Sequence, residues 1–111
     1  KKHFIFSQLA EKEIDCFIKE MKPCSTQRNN YIFRQGDKSG SYYIILEGFA
    51  RYKSMAEEEN LTYGDSFGDL GIIYNAPRSA SVLSLTDCEL VEINRRIFKK
   101  VMDDINQLHE K

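Results

Sequence analysis

Phe67-Gly68-Asp69-Leu70-Gly71-Ile72-Ile73-Tyr74-Asn75-Ala76-Pro77-Arg78-Ser79-Ala80-Ser81-Val82 is the stretch from which the rest of the chain is best read. Gly64-Asp65-Ser66-Phe67-Gly68 leads into it as a turn, and Ser79-Ala80-Ser81-Val82 leaves it with the polar/apolar alternation of a strand. Between them, Asp69 to Tyr74 suffices for about a turn and a half of helix. Asp69 stands where an acid suits a helix N-terminus, and Gly68 leaves nearby backbone N–H groups unobstructed by a Cβ. A lone Arg78 follows nine residues after Asp69. Helix-end N–H groups and a forked guanidinium together make an anion cradle. An acid beside an anion site makes sense if it accepts a hydroxyl from the same ligand. A phosphate and a sugar hydroxyl in one small pocket point to a nucleotide. The plainer reading of the same residues is a glycine-rich turn and a solvated Arg78, both common in all-β domains.

The chain has 111 residues, which sets one domain around a single core. Hydrophobic residues at 41% and charged residues at 30% are ordinary for a globular chain. A net charge of −1 leaves no polyanion footprint and argues against nucleic-acid binding. No apolar run reaches membrane-spanning length and no signal peptide is visible, so a cytoplasmic setting without membrane insertion is expected. The opening residues read as a boundary inside a longer protein. Cys16, Cys24 and Cys88 lack a Cys-X-X-Cys pairing and read as reduced thiols. His3 and His109 stand near opposite ends of the sequence, and no metal motif joins them. Ser79 and Ser81 have no histidine in any recognisable nucleophile motif, and no carboxylate pair is set by spacing. No catalytic residue, metal ligand or cofactor is expected, and the chain is read as a non-enzyme.

Phe4, Ile5, Phe6 and Leu9 form an apolar opening in which Ser7 can cap a turn. Ile14, Phe17, Ile18 and Met21 recur at helical spacing, predicting an amphipathic helix from Glu11 to Met21 that Pro23 ends. From Cys24 the period changes to two. Tyr31, Phe33, Tyr43, Ile45 and Phe49 fall in β-rich segments broken by Asn29-Asn30, Gly36-Asp37, Gly40-Ser41 and Glu47-Gly48. Glu57-Glu58-Glu59-Asn60 reads as a solvated loop between strands at Arg51–Ser54 and Leu61–Tyr63. Val82–Leu85 and Glu89–Ile93 complete the strands around a Thr86-Asp87 turn. Asn94 is placed to cap a last helix whose stripe is Ile97, Phe98, Val101, Met102, Ile105 and Leu108. Arg95, Arg96, Lys99 and Lys100 lie off that stripe. The expected fold is mainly β with flanking helices: a β-roll or jelly roll of about eight short antiparallel strands.

The stretch from Phe67 to Val82 resembles the phosphate-binding cassette of cyclic nucleotide-binding domains, found in kinase regulatory subunits and gated channels. The cassette pattern is Phe-Gly-Glu-Leu-Ala, a few apolar residues, then Pro-Arg-X-Ala-Thr/Ser-Val. Arg34-Gln35-Gly36-Asp37 and Gly40 to Gly48 are similar to a second block of that family, whose glycines at the positions of Gly36, Gly48 and Gly68 occupy tight turns. The interval from Gly48 to Phe67 is shorter than the family leads one to expect, which implies a trimmed hairpin or a loop absent from this chain. The implied organisation is an N-terminal helical segment over 1–23, a β-roll over 24–93 with the cassette at 67–82, and a C-terminal hinge or lid helix over 94–111. A short helix sits within the cassette, and Met102-Asp103-Asp104 would be the hinge.

The resemblance implies a ligand site of Phe67, Gly68, Asp69, Leu70, Gly71, Arg78, Ser79 and Ala80, with cAMP or cGMP as ligand. Arg78 would pair with the exocyclic phosphate oxygens, aided by backbone N–H groups near Ala80. Asp69 stands where the family has Glu to accept the ribose 2′-OH and is one methylene shorter. Gly71 replaces a usual Ala, loosening the short helix by up to about 1 kcal/mol. Ser79 occupies a position whose hydroxyl can bond a guanine amino group or simply be solvated. No Trp or Tyr follows Tyr74, so an aromatic cap on the base would come from elsewhere. The implied function is regulatory: nucleotide capture passed through the C-terminal helix to an effector domain in the same or a partner chain. The competing reading is a degenerate domain that keeps the β-roll as an interaction module without binding nucleotide.

Overall fold

The computed structural model describes residues 11–38, 40–68 and 76–109. The apolar opening at Phe4–Leu9, the short cassette helix and the site residues Asp69, Leu70 and Gly71 lie outside the described residues. Among the described residues, two helices and eight strands follow in the order α1 (Glu11–Ile18), β1 (Lys22–Thr26), β2 (Tyr31–Phe33), β3 (Ser41–Glu47), β4 (Ala50–Lys53), β5 (Glu58–Leu61), β6 (Ser66–Phe67), β7 (Ser81–Ser84), β8 (Cys88–Asn94) and α2 (Arg95–His109). The strands make two four-stranded sheets, β1-β8-β3-β6 and β2-β7-β4-β5, and every pairing is antiparallel. This is the β-roll with flanking helices that the sequence led us to expect.

The first sheet is covered on both faces. Ile45, Leu90, Cys88 and Phe67 point into the roll, where they meet Ala50, Leu61 and Val82 of the second sheet. Tyr42 and Ile93 point the other way and pack with Phe17 of α1 and Phe98, Val101 and Ile105 of α2. The uninterrupted apolar run Tyr42-Tyr43-Ile44-Ile45 follows from this double burial, since a strand with one wet face would alternate. A hydrogen bond of 2.7 Å from Ser84 Oγ to Thr26 Oγ1 ties the two sheets together at a buried polar point.

Local expectations needed correction in four places. Helix α1 stops at Ile18, not Met21, and Ile18 is 54% exposed although its spacing put it on the apolar stripe. Pro23 does not merely end the helix: the strand already begins at Lys22, and Pro23 sits within β1 opposite Val91. Proline is tolerated there because β1 is an edge strand, where a missing N–H need not break a ladder on both sides. The glutamate run is mostly strand, with Glu58, Glu59 and Asn60 in β5 paired against Lys53, Tyr52 and Arg51. Phe49 lies exposed between β3 and β4 and belongs to no strand. Helix α2 runs continuously through Met102-Asp103-Asp104, the position at which the resemblance puts a hinge.

The glutamates go into a strand because opposite charge faces them. Arg51 Nε lies 3.5 Å from Glu58 Oε2 and 3.3 Å from Asn60 Oδ1. Ser54 closes the hairpin, its Oγ accepting from the N–H groups of Ala56 and Glu57 at 3.2 and 3.1 Å. Gly48 needs to be glycine: its φ is +103°, and an added Cβ would come 2.5 Å from the Asp87 carbonyl oxygen. Asn94 caps α2 as expected, its Oδ1 accepting from Ile97 N–H at 2.9 Å.

Candidate functional site

Arg78 is the centre of the candidate site. Its residue is only 6% exposed, so it is not the solvated charge of the plain reading. The backbone around it is pinned to the Arg34–Asp37 turn: Arg78 N–H donates to the Asp37 carbonyl and Gly36 N–H to the Arg78 carbonyl, both at 2.8 Å. That anchoring turns the side chain inward. Its guanidinium lies 4.0 Å from the centroid of the Phe33 ring, a cation–π contact in a desolvated place. Nη2 donates to the Ser41 carbonyl at 2.6 Å and Nη1 to the Gly68 carbonyl at 3.2 Å. Nε is buried without a hydrogen-bond partner among the described residues. Burial lowers the Arg78 pKa from its ordinary value. Tyr43 opposes this, Arg95 adds to it, and Asp37 opposes it.

Gly68 completes one side of the site. Its φ is +96°, and an added Cβ would stand 2.8 Å from the Ser41 carbonyl oxygen and 2.9 Å from Arg78 Nη1. A side chain there would push the guanidinium out of its seat. Phe67 is buried and stacks on Tyr43 with ring centroids 5.3 Å apart, while Phe33 tilts against both at 5.7 and 6.0 Å. Ala80 is buried and Ser79 is exposed. The structure therefore brings Phe67, Gly68 and Arg78 together. Ser79 points into solvent.

Three contributors escaped the sequence reading. Phe33, Tyr43 and the Ser41 carbonyl are contacts of Arg78 or its aromatic seat, yet they entered only as strand and turn residues. Phe33 immediately precedes the Arg34-Gln35-Gly36-Asp37 turn, and that adjacency was the available signal. Glu92 also went unremarked. It faces Tyr43 across the β3–β8 ladder and raises the Tyr43 pKa, though less than burial does. Cys24 is pushed up to about 11, first by burial and then by Glu92. Among the described residues no cluster of His, Cys, Asp or Glu could hold a metal ion, and no helix is long and apolar enough to cross a membrane.

These features define a class: a small β-roll domain with a buried arginine and a glycine turn closing on its guanidinium. The chain belongs to the cyclic nucleotide-binding domain family, whose model matches residues 23–104. Its similar relatives include a cAMP-dependent protein kinase regulatory subunit of Yarrowia lipolytica, 29% identical over 92% of this chain. A second is a cAMP-dependent protein kinase regulatory subunit of Candida albicans, 30% identical over 92% of this chain. A third is a cGMP-dependent protein kinase of Plasmodium berghei, 29% identical over 93%. The chain spans 28%, 22% and 12% of those proteins, respectively. Among solved structures, PKAR CBD2 bound to Sp-2Cl-cAMPS superposes with a TM-score of 0.79 at 24% identity, covering 97% of this chain and 75% of that one. The Thermus thermophilus catabolite activator protein gives 0.78 at 23%, covering 96% and 53%. These two likenesses concern the fold.

Proposed function

We propose that this domain binds a 3′,5′-cyclic nucleotide, cAMP or cGMP, with Arg78 as the phosphate partner. One observation carries the reading: a guanidinium held inside the roll on an aromatic ring and two carbonyls, with a buried Nε that has no acceptor among the described residues. Carbonyl dipoles hold a buried cation less well than an anion does, so a phosphate entering here gains a charge-assisted bond. Family membership and kinase relatives named for cAMP and cGMP support the choice of anion.

In this reading the role is regulatory, and the domain acts on an effector in its own or a partner chain. Ser41, whose carbonyl holds Arg78, pairs with Asn94, the cap of α2, and Arg95 N–H donates to the Gly40 carbonyl at 3.0 Å. A ligand that drew Arg78 away from Ser41 would act on the end of β3 to which the start of α2 is fastened. The size of any shift is set by the ligand's differential affinity for the two states. Hydrogen exchange should therefore change in the first turn of α2 on nucleotide addition. Unchanged exchange there would remove α2 as the transmitting element.

Asp69 is assigned to the ribose 2′-OH, Phe67, Gly68, Leu70 and Gly71 to the cassette wall, and Ala80 to backbone support of the phosphate. Ser79 is left to solvent or to the base. A bond from the 2′-OH to a carboxylate contributes roughly 1.5–3 kcal/mol, so the 2′-deoxy ligand should bind about ten-fold to a hundred-fold more weakly. Equal affinity for both ligands in the wild type and in Asp69→Glu would refute that role. The primary test is titration of cAMP and cGMP by calorimetry and thermal shift, since a ligand specific to the folded state raises Tm with concentration. No heat and no shift at millimolar nucleotide would leave the degenerate interaction module as the reading.

A further inference from the structure

The outer face of the second sheet carries a groove unrelated to Arg78. Its volume is 420 Å³, its floor is Leu83 and Ser81 of β7, and its sides are Tyr31 of β2 and Arg51 and Lys53 of β4, with Met55 at the hairpin end. A second hollow of 470 Å³ follows the β2 segment from Asn29 to Arg34, and the two share Tyr31. The two hollows adjoin at Tyr31, one following β2 and the other crossing the sheet toward the β4–β5 hairpin, and are taken below as one track. Among the described residues β2 is an edge strand paired only with β7.

The chemistry of the track is one-sided. The first hollow mixes an apolar floor with two cations and has no carboxylate among its lining residues. Arg34 adds a third cation, its guanidinium 4.6 Å over the Tyr31 ring. The single acid of the second hollow, Asp37, is engaged, its carboxylate accepting from Arg34 N–H at 2.9 Å. Glu58 is held against Arg51 Nε, whereas Lys53 has no ion pair among the described residues. Met55 is 94% exposed at the hairpin end, an apolar side chain in water beside an apolar floor.

We propose that this track docks an extended acidic segment of a partner protein. An apolar side chain of the segment sits on Leu83 between Tyr31 and Met55, and flanking carboxylates meet Lys53 on one side and Arg34 on the other. Charge complementarity selects the partner, and the open edge of β2 favours an extended backbone over a helix. The first hollow shares no lining residue with the contacts of Arg78, whereas the second is also lined by Phe33 and Asp37, which hold Arg78.

Fluorescence anisotropy tests it on the intact protein with a labelled glutamate-rich peptide of about nine residues carrying one central leucine, enough to span the sheet. Saturable binding is expected, weakened about ten-fold between 50 and 500 mM salt, as screening of a few charge pairs requires. Lys53→Gln, which sets no like charge against Glu58, and, separately, Tyr31→Ala should each weaken it severalfold with Tm and nucleotide titrations unchanged, and Arg34→Gln should weaken peptide binding from the other end. A peptide with alanine for the central leucine should bind more weakly. The proposal is overturned if the acidic peptide does not bind, if a lysine-rich counterpart binds equally, or if the three substitutions leave affinity intact. Concentration-dependent self-association abolished by Lys53→Gln would assign the groove to a second copy of this chain and equally overturn it.

Discussion

The two faces of the first sheet are made by the same strands and could hardly differ more. Against the helices, Tyr42 and Ile93 meet Phe17, Phe98, Val101 and Ile105 in a cluster of aromatic and aliphatic side chains. Inside the roll, apolar packing by Ile45 and Leu90 gives way at one end to Tyr43, Glu92, Cys24 and the Arg78 guanidinium. The alternation of side chains along β3 and β8 thus separates a supporting core from a chemical interior. One face can be optimised for packing without disturbing the other.

Substitutions on either side should dissociate stability from binding. The largest effect is expected on the helix side. Phe98 is buried with its ring 5.2 Å from that of Phe17, and Phe98→Ala should cost about 3–5 kcal/mol in urea unfolding while the folded fraction keeps its nucleotide affinity. Lost affinity in fully folded Phe98→Ala protein would show the faces to be coupled. On the roll side, Arg78→Ala should weaken nucleotide binding by about 2–5 kcal/mol. Its effect on the urea midpoint should be smaller, because only hydrogen bonds to two carbonyls and one ring contact are lost. Binding that survives Arg78→Ala would place the phosphate elsewhere.

Much of this division was legible beforehand, for physical reasons. The stripe from Ile97 to Ile105 has the helical period, and the cassette glycines and Arg78 carry the resemblance that led to the family. The turn at Gly48 could be read because few residues but glycine adopt a φ near +103°. Pairing partners, by contrast, are non-local. Glu58 and Asn60 looked like loop until Arg51 and Lys53 stood opposite them, and Pro23 looked like a helix stop until β1 proved to be an edge. The seat of Arg78 escaped for the same reason, since Phe33 and Arg78 are far apart in sequence and meet only through the pairing of β2 with β7.

Two smaller tests sharpen the comparison where the faces adjoin. Asn94 ends β8 on the roll side and caps α2 on the helix side, and Asn94→Ala should lower stability by about 1 kcal/mol, read by urea unfolding. An effect near zero would mean that the cap adds nothing to α2. The Cys24 thiol, pushed up from 9.0 to about 11, favours the folded state while it stays protonated. Above pH 9.0 the unfolded chain loses this proton first, so stability should fall between 9.0 and about 11. The drop should be modest, since the group is partly open to solvent. Cys24→Ser should flatten that part of the alkaline unfolding curve, and an unchanged curve would assign the loss to other groups.

Pro23 has a consequence for the behaviour of the chain in a crowded solution. An exposed strand margin is a row of donors and acceptors that invites a strand from another molecule, the first step toward fibrils. With proline second in the five-residue β1, that row is interrupted on the first sheet, and the opposite margin is the two-residue β6, too short to template growth. The second sheet has no such guard on β2, so misassembly on heating should start there. Limited proteolysis of early aggregates, which shields whichever strand has been recruited, would locate it.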